Sequence, residues 1–386
     1  MARPSSQPVV MIELLRFVCA GAVMACHYGV GFWRAPGVRP ATVLDGIAYH
    51  SPLEATLQFG WLGVEIFFVI SGMMIGRSAV GSTAGDFLRR RVLRLAPAAW
   101  VCGTITLAVL ATGLGPSAAL LAAWGRSVVF WPAGQQIDAA YWTLGIELAF
   151  YLAVAACLGA DGAGRRIERL GVVIGIASGL FWIGCIAVGG AAAWLFTDRL
   201  IQLMLLPYGC FFALGIVIAR CQADGVTVGR ALAGATSLAI CAIEVAVHAV
   251  ESANESGLPV ARLAALTIFA AAAAALMVAD RLQPLLARAV RPATARTVGL
   301  MTYPLYLIHQ EAGAVLVGAL ARQGLPIGPA LLVAAAAAIA TAWLIARAAE
   351  PKLRDLLAVA FTRWSFGGAN SAPRVPDVRP GLRYPG

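Results

Sequence analysis

Residues 12–33 read IELLRFVCAGAVMACHYGVGFW, a run of 22 positions whose only acidic, basic or histidine side chains are Glu13, Arg16 and His27. A helix crossing the hydrocarbon core of a bilayer needs about 20 mostly apolar residues, so this stretch is long enough to span a membrane. No small-residue cleavage site follows a clean apolar core, and the run carries charge, so a removed signal peptide is not expected. Comparable runs recur at 57–76, 97–113, 142–159, 171–190, 199–219, 231–250, 260–279, 297–320 and 327–347. The third is short and the sixth is interrupted by Pro207. The expected fold is all-α, a polytopic integral membrane helix bundle of about ten transmembrane helices. Residues 1–350 form the membrane domain, and 351–386 form a cytoplasmic tail, disordered from Ser365 onward where Gly, Pro and Arg leave nothing to bury. The apolar segment 116–131, centred on Arg126 between Pro116 and Pro132, is expected to be an interfacial or re-entrant helix on the outward side.

Composition supports this reading. The 386-residue chain is 60% hydrophobic and 12% charged, about half the charge content of a soluble domain. That excludes a secreted disulfide scaffold, a disordered chain and a nucleic-acid binder. The eight cysteines form no CxxC pair and lie in or beside apolar runs, as small core residues do. Of the 29 Lys and Arg residues, 22 fall on loops of one side and six on the other, with Arg16 inside a span. The positive-inside rule then places both termini in the cytoplasm of a multi-pass protein of the inner (plasma) membrane. The net charge of +10 thus reports a basic cytoplasmic layer rather than an acidic partner in solution. Alanine-rich stretches such as 270–275 and 334–338 suit close helix approach. No inverted repeat relates the two halves, which counts against many transporter architectures.

Ionisable side chains inside spans are costly unless they face a cavity or a partner, so each is a functional candidate. Arg16 and His27 are eleven residues apart, within about 20° of three full helical turns and separated by a rise of roughly 16 Å. They point into one groove, Arg16 near the cytoplasmic mouth and His27 toward the outer leaflet. Glu65, Glu147 and the pair His309 and Glu311 fall at comparable depth on other spans, so a histidine–carboxylate cluster is expected there. A carboxylate beside His27 would fix its tautomer and suit it as a general base or nucleophile. Glu244 and His248, one turn apart, could pair locally near the outer surface. The run Arg89-Arg90-Arg91-Val92-Leu93-Arg94 sits at the cytoplasmic start of the third span. It is either stop-transfer charge or a phosphate clamp, in which Arg91 and Arg94, one turn apart, face the same ligand.

These residues stand in blocks that resemble the membrane-bound acyltransferase 3 family. Leu15-Arg16 with Cys26-His27-Tyr28 is similar to its R-x10-H signature. Gly60-Trp61-Leu62-Gly63-Val64-Glu65-Ile66-Phe67-Phe68-Val69-Ile70-Ser71-Gly72 resembles its G-V-[DE]-x-F-F-V-[IL]-S-G segment. Phe87 to Pro97 is similar to F-x-x-R-R-x-x-R-[IL]-x-P, Tyr141 to Tyr151 to W-[ST]-L-x-x-E-x-x-F-Y, and Thr302 to His309 to S-Y-x-[LI]-Y-L-x-H. The five blocks occur in the family's order. Two departures stand out: Thr302 replaces the usual Ser, and no second acidic residue follows Glu147.

The resemblance implies an integral membrane O-acyltransferase. It would move an acyl group, usually acetyl, from cytoplasmic acyl-CoA to a hydroxyl of a glycan or lipid-linked saccharide at the outer face. His27 would be catalytic, with Arg16 supporting the donor and Glu147, Glu65 and His309 in the site. Arg91, Arg94 and Arg89 would lie near the CoA phosphates together with Arg16. Acyl-CoA (acetyl-CoA) enters as donor substrate, with no permanently bound cofactor or metal expected. The other partners are the saccharide acceptor, entering past loops 34–56 and 132–141, and membrane lipids; no nucleic acid is expected. A proton-coupled transporter or flippase for a saccharide or lipid is the alternative use of the same buried ions.

Overall fold

The structure is a computed structural model and describes residues 9–35, 38–159, 163–189, 195 and 197–366. All regular elements among them are helical. Helix α1 (Val10–Cys26) runs on through a π-helical turn, His27–Gly31, into a last turn at Phe32–Arg34. Helix α2 (Leu62–Ser78) is preceded by one turn at Glu54–Leu57 and a 3-10 turn at Gln58–Trp61. Helices α3 (Ala84–Leu114), α4 (Ala118–Val128), α5 (Trp142–Ala156) and α6 (Ala163–Val188) follow. The rest are α7 (Gly209–Asp224), α8 (Val228–Ser256), α9 (Arg262–Ala289), α10 (Pro292–Arg322), α11 (Ile327–Leu344) and α12 (Glu350–Phe366). A second π-helical turn, Ile345–Ala349, joins the last two.

Local chemistry sets the boundaries. Thr83, Ser117 and Thr227 each accept a hydrogen bond from a backbone N–H in the first turn of α3, α4 and α8, satisfying donors that helix geometry leaves free. Because Thr83 caps α3 so early, the basic run lies within that helix and the short third span becomes part of a 31-residue element, with Pro97 inside it. Helix α4 has 11 residues, too few to cross a bilayer.

Eight helices among the described residues are long and apolar enough to cross a membrane, against about ten expected. The two remaining expected spans fall on α7 and α10. The sixth run is broken into Arg199–Leu203 and α7, because Leu205 adopts a left-handed φ of 62° and Pro207 follows. The 16 residues of α7 then rise about 24 Å, short of a typical hydrocarbon core. Helix α10 has 31 residues but carries His309 and Glu311, which are buried within the bundle. The tail expected from Ser365 begins as helix, since α12 extends to Phe366; residues 367–386 lie outside the described residues.

Small residues bring the central helices together. A Cβ on Gly72 of α2 would strike the carbonyl of Phe212, and one on Gly215 of α7 would strike that of Val69. The two backbones therefore touch, and dispersion contacts replace the hydrophobic drive that is missing between helices in lipid. Gly60 and Gly63 meet the carbonyls of Ala22 and Cys19 in the same way, seating α2 on α1. Across α1 and α10, Gly299 leaves room for the Glu13 carboxylate and Gly313 for the Tyr28 ring. On α11 the buried residues Ala330, Ala334, Ala338 and Ala342 form one stripe at four-residue spacing. The glycines of α10 matter most for the site, because they fix how α10 lies along α1.

Candidate active site

His27 is the first residue of the π-helical turn in α1. Such turns widen the helix and are concentrated at functional positions. The next residue, Tyr28, fits the space over Gly313, and its hydroxyl donates to the backbone carbonyl of His309 at 2.9 Å. Trp33 Nε1–H donates to the Tyr28 carbonyl at 2.7 Å. This lock brings the two imidazoles together, Nδ1 of His27 lying 2.8 Å from Nε2 of His309 with the rings stacked at 5.0 Å.

The hydrogen-bond chain assigns the tautomers. His309 Nδ1 lies 3.0 Å from the Leu305 carbonyl, which can only accept, so His309 carries its proton there. Its Nε2 is then an acceptor, and His27 must donate from Nδ1. The lone pair of His27 is left on Nε2. Sequence reasoning expected a carboxylate to orient His27; a neutral histidine does so instead.

On one side of this pair lies a cavity of about 330 Å³. Its charged lining comprises Arg16, Arg91 and Arg94 with Glu13 and Glu147. Arg16 donates to Glu13 at 3.1 Å. The Arg91 guanidinium stacks over Phe87 and Tyr151 at 5.2 and 5.6 Å and donates to Ser78 Oγ at 3.3 Å. Glu147 accepts from Ser71 Oγ at 3.2 Å and from the Tyr151 hydroxyl. Toward the histidines the lining turns apolar and aromatic, through Val64, Phe67 and Tyr306. Tyr306 stands one turn before His309 on α10, its ring 6.1 Å from that imidazole and 5.8 Å from Phe67. The cavity therefore has a cationic end and an aromatic end, with the His27–His309 pair just beyond the latter. His27 itself is not part of the lining.

The expected single cluster of histidines and carboxylates is divided. Glu147 faces Arg16 across the cavity, one arm of the expected set. Glu65 instead meets His248 Nδ1 at 3.3 Å, beside Glu244 at 3.5 Å from the same nitrogen. The local Glu244–His248 pair thus exists, with Glu65 as a third member. Glu311 pairs with Arg39 at 3.4 Å, and its backbone N–H donates to Asp138 at 3.1 Å. Burial raises the carboxyl of Asp138, at the threshold of α5. Rotation of the helices about their axes is not readable from sequence, and it sends the carboxylates to different neighbours. Arg91 and Arg94 share the cavity as their spacing implied, whereas Arg89, about 200° around α3 from Arg91, does not line it. The loops at 34–56 and 132–141 meet where Arg39 donates to the carbonyls of Ile137 and Gln136 at 2.7 and 3.2 Å.

Several site residues escaped the sequence reading: Tyr28, Ser71, Phe67, Tyr151 and Tyr306. All stand inside the motif blocks, so the signal was present. The four aromatic ones look like ordinary core within apolar runs, and Ser71 looks like a small packing residue. The eight cysteines form no disulfide, and Cys19, Cys102, Cys210 and Cys241 are buried.

A family model described as an acyltransferase domain, that of acyltransferase 3, matches residues 9–347. No curated protein and no solved structure matches the chain.

Proposed function

The chain belongs to the acyltransferase 3 family, and from that premise we propose that it carries an acyl group, acetyl in the simplest case, from acyl-CoA to a hydroxyl of a glycan or lipid-linked saccharide on the opposite side of the membrane. The observation that carries this reading is the cavity lined by Arg16, Arg91 and Arg94 and also by Tyr306, whose ring lies 6.1 Å from the His309 of the His27–His309 pair. Guanidinium forks suit phosphate oxygens. The narrow aromatic end suits an uncharged thioester-bearing arm. The protein would lie in the inner (plasma) membrane with its basic face toward the cytoplasm by the positive-inside rule, the side that holds acyl-CoA.

In the proposed step, His27 Nε2 takes the proton from the acceptor hydroxyl as its oxygen bonds to the thioester carbon. The tetrahedral intermediate collapses with cleavage of the carbon–sulfur bond. The imidazolium returns the proton to the departing thiolate, giving the ester and free CoA thiol. His309 accepts the His27 Nδ1–H throughout, holding the ring in the tautomer that keeps Nε2 basic and favouring the imidazolium as it forms. The arrangement assigns to a neutral histidine the orienting part that a carboxylate often takes. Glu147, held by Ser71 and Tyr151, balances Arg16 at the donor end and does not touch His27.

Radiolabelled acetyl-CoA, supplied to purified protein with membrane glycan, tests the reading. Label entering the glycan and lost with His27→Ala supports it. Movement of saccharide across the membrane without incorporation overturns it in favour of transport. Mass spectrometry of protein held with donor but no acceptor tests the direct route, and an acyl adduct on His27 would replace it with a covalent one.

A further inference from the structure

A second group of ionisable residues lies outside the proposed transfer path. Glu65 on α2 and Glu244 and His248 on α8 converge, the two carboxylates being 1% and 2% exposed. Among the described residues, His248 is the one ion-pair partner of either carboxylate. A single Nδ1–H cannot serve both, and Oε2 of Glu65 and Oε2 of Glu244 are each buried with no hydrogen-bond partner. Two desolvated carboxylates facing one imidazole must be balanced by an added proton or by a second cation, because bare negative charge is costly in a membrane interior.

We propose that Glu65, Glu244 and His248 form a site for a divalent transition-metal ion, with Zn²⁺ the best match. One oxygen from each carboxylate and Nδ1 of His248 all lie within 4.8 Å of one another. The two nitrogen–oxygen separations, 3.3 and 3.5 Å, match the donor spacing of about 3.3–3.5 Å expected around a tetrahedral ion with bonds of about 2.0–2.1 Å. The nitrogen and oxygen donors fit zinc better than magnesium or calcium, which favour all-oxygen shells. Trp61 stacks on the His248 ring at 4.1 Å and so fixes its plane.

The site also has an entrance. Glu244 and His248 line a second cavity of about 200 Å³, which Glu251 and Glu255 border as well. His248 is 32% exposed, so the ion would keep a position open to water or to a ligand in that cavity. Bound there, the ion ties α2 to α8 and replaces a charge deficit with a bond network. It lies off the route from Arg16 to His27, so the proposal stands or falls separately from the transfer mechanism.

The test is metal content of the full chain in detergent micelles, equilibrated with Zn²⁺ and then desalted. The expected result is about one zinc per chain in the wild type and less than about a tenth of that in Glu65→Gln and Glu244→Gln. Glu251→Gln, which alters the cavity but not the triad, should keep its zinc. Added Zn²⁺ should raise the Tm of the wild type but not of the two triad variants. Co²⁺ loaded into the wild type gives a readout that needs no variant: intense visible bands of a tetrahedral nitrogen–oxygen site. No retained zinc in the wild type, or only the weak spectrum of hydrated Co²⁺, overturns the proposal and leaves His248 as a protonated bridge between carboxylates. Equal zinc loss in Glu251→Gln also overturns it, since the ion would then belong to the cavity mouth.

Discussion

Replacing His309 with alanine isolates what the second histidine does. The 2.8 Å contact gives His27 Nδ1–H its acceptor, and the Leu305 carbonyl at 3.0 Å keeps His309 able to accept. Without it a donor in the bundle interior loses its partner, at a cost of about 1–3 kcal/mol. The loss is felt most when His27 carries the proton, because that hydrogen bond is then charge-assisted. It should therefore appear in the turnover step: at 1.36 kcal/mol per decade, kcat falls by about 5- to 150-fold. His309 does not line the donor cavity, so KM for acyl-CoA should stay within about twofold of wild type. His309→Gln, whose amide oxygen can reach the place of Nε2, should recover much of the lost rate. The assay is the initial rate of label transfer from radiolabelled acetyl-CoA to membrane glycan across a range of donor concentrations. A kcat for His309→Ala indistinguishable from wild type would refute the orienting role. A rate as low as that of His27→Ala, with no rescue by glutamine, would make His309 the base and reverse the assigned proton positions.

Three further outcomes follow from the same geometry. Arg91→Ala and Arg94→Ala should each raise KM for acyl-CoA by about 10-fold or more, as loss of a charge-assisted phosphate contact implies, whereas Arg89→Ala, off the cavity, should leave it nearly unchanged; equal effects from all three would return the run to a topological role. Tyr306→Ala removes part of the aromatic wall between cavity and histidines, so kcat/KM for butyryl-CoA relative to acetyl-CoA should rise, and an unchanged ratio would mean that Tyr306 does not limit the acyl chain. Gly215→Ala places a methyl group against the Val69 carbonyl, which cannot move aside; a loss of about 1–3 kcal/mol is expected from overpacking, seen as a lower Tm in detergent, while an unaltered Tm would show that α2 and α7 can separate without cost.

The His27–His309 pair shows where sequence reading stops. Both histidines stand out in the sequence because ionisable groups inside spans are expensive, and both lie in recognisable blocks. Their direct contact depends on Tyr28 seating over Gly313, an interaction between residues 285 positions apart that no periodicity announces. Glu65 illustrates the converse. Its position along the span predicts a place level with His27, yet α2 turns it toward His248 of α8. Pro207 marks the sixth run as interrupted, but no residue type announces the left-handed turn at Leu205 that shortens α7.

Taken alone, the sequence determined that the chain is a helical membrane protein, which of its loops form the basic face, and which ionisable residues must find partners inside. Those conclusions follow from local quantities: run length against bilayer thickness and charge counts between runs. The shared groove expected of Arg16 and His27, by contrast, is not seen, since Arg16 lines the cavity and His27 does not. The tertiary structure alone decided who partners whom. Helices in lipid are held by close contact at small residues rather than by burial of an apolar face, so their rotation and register are set by where glycines admit a neighbour. At Gly299 and Gly313 that packing lays α10 along α1 and joins the two imidazoles. At Gly72 and Gly215 it presses α2 against α7, and Glu65 is left facing α8.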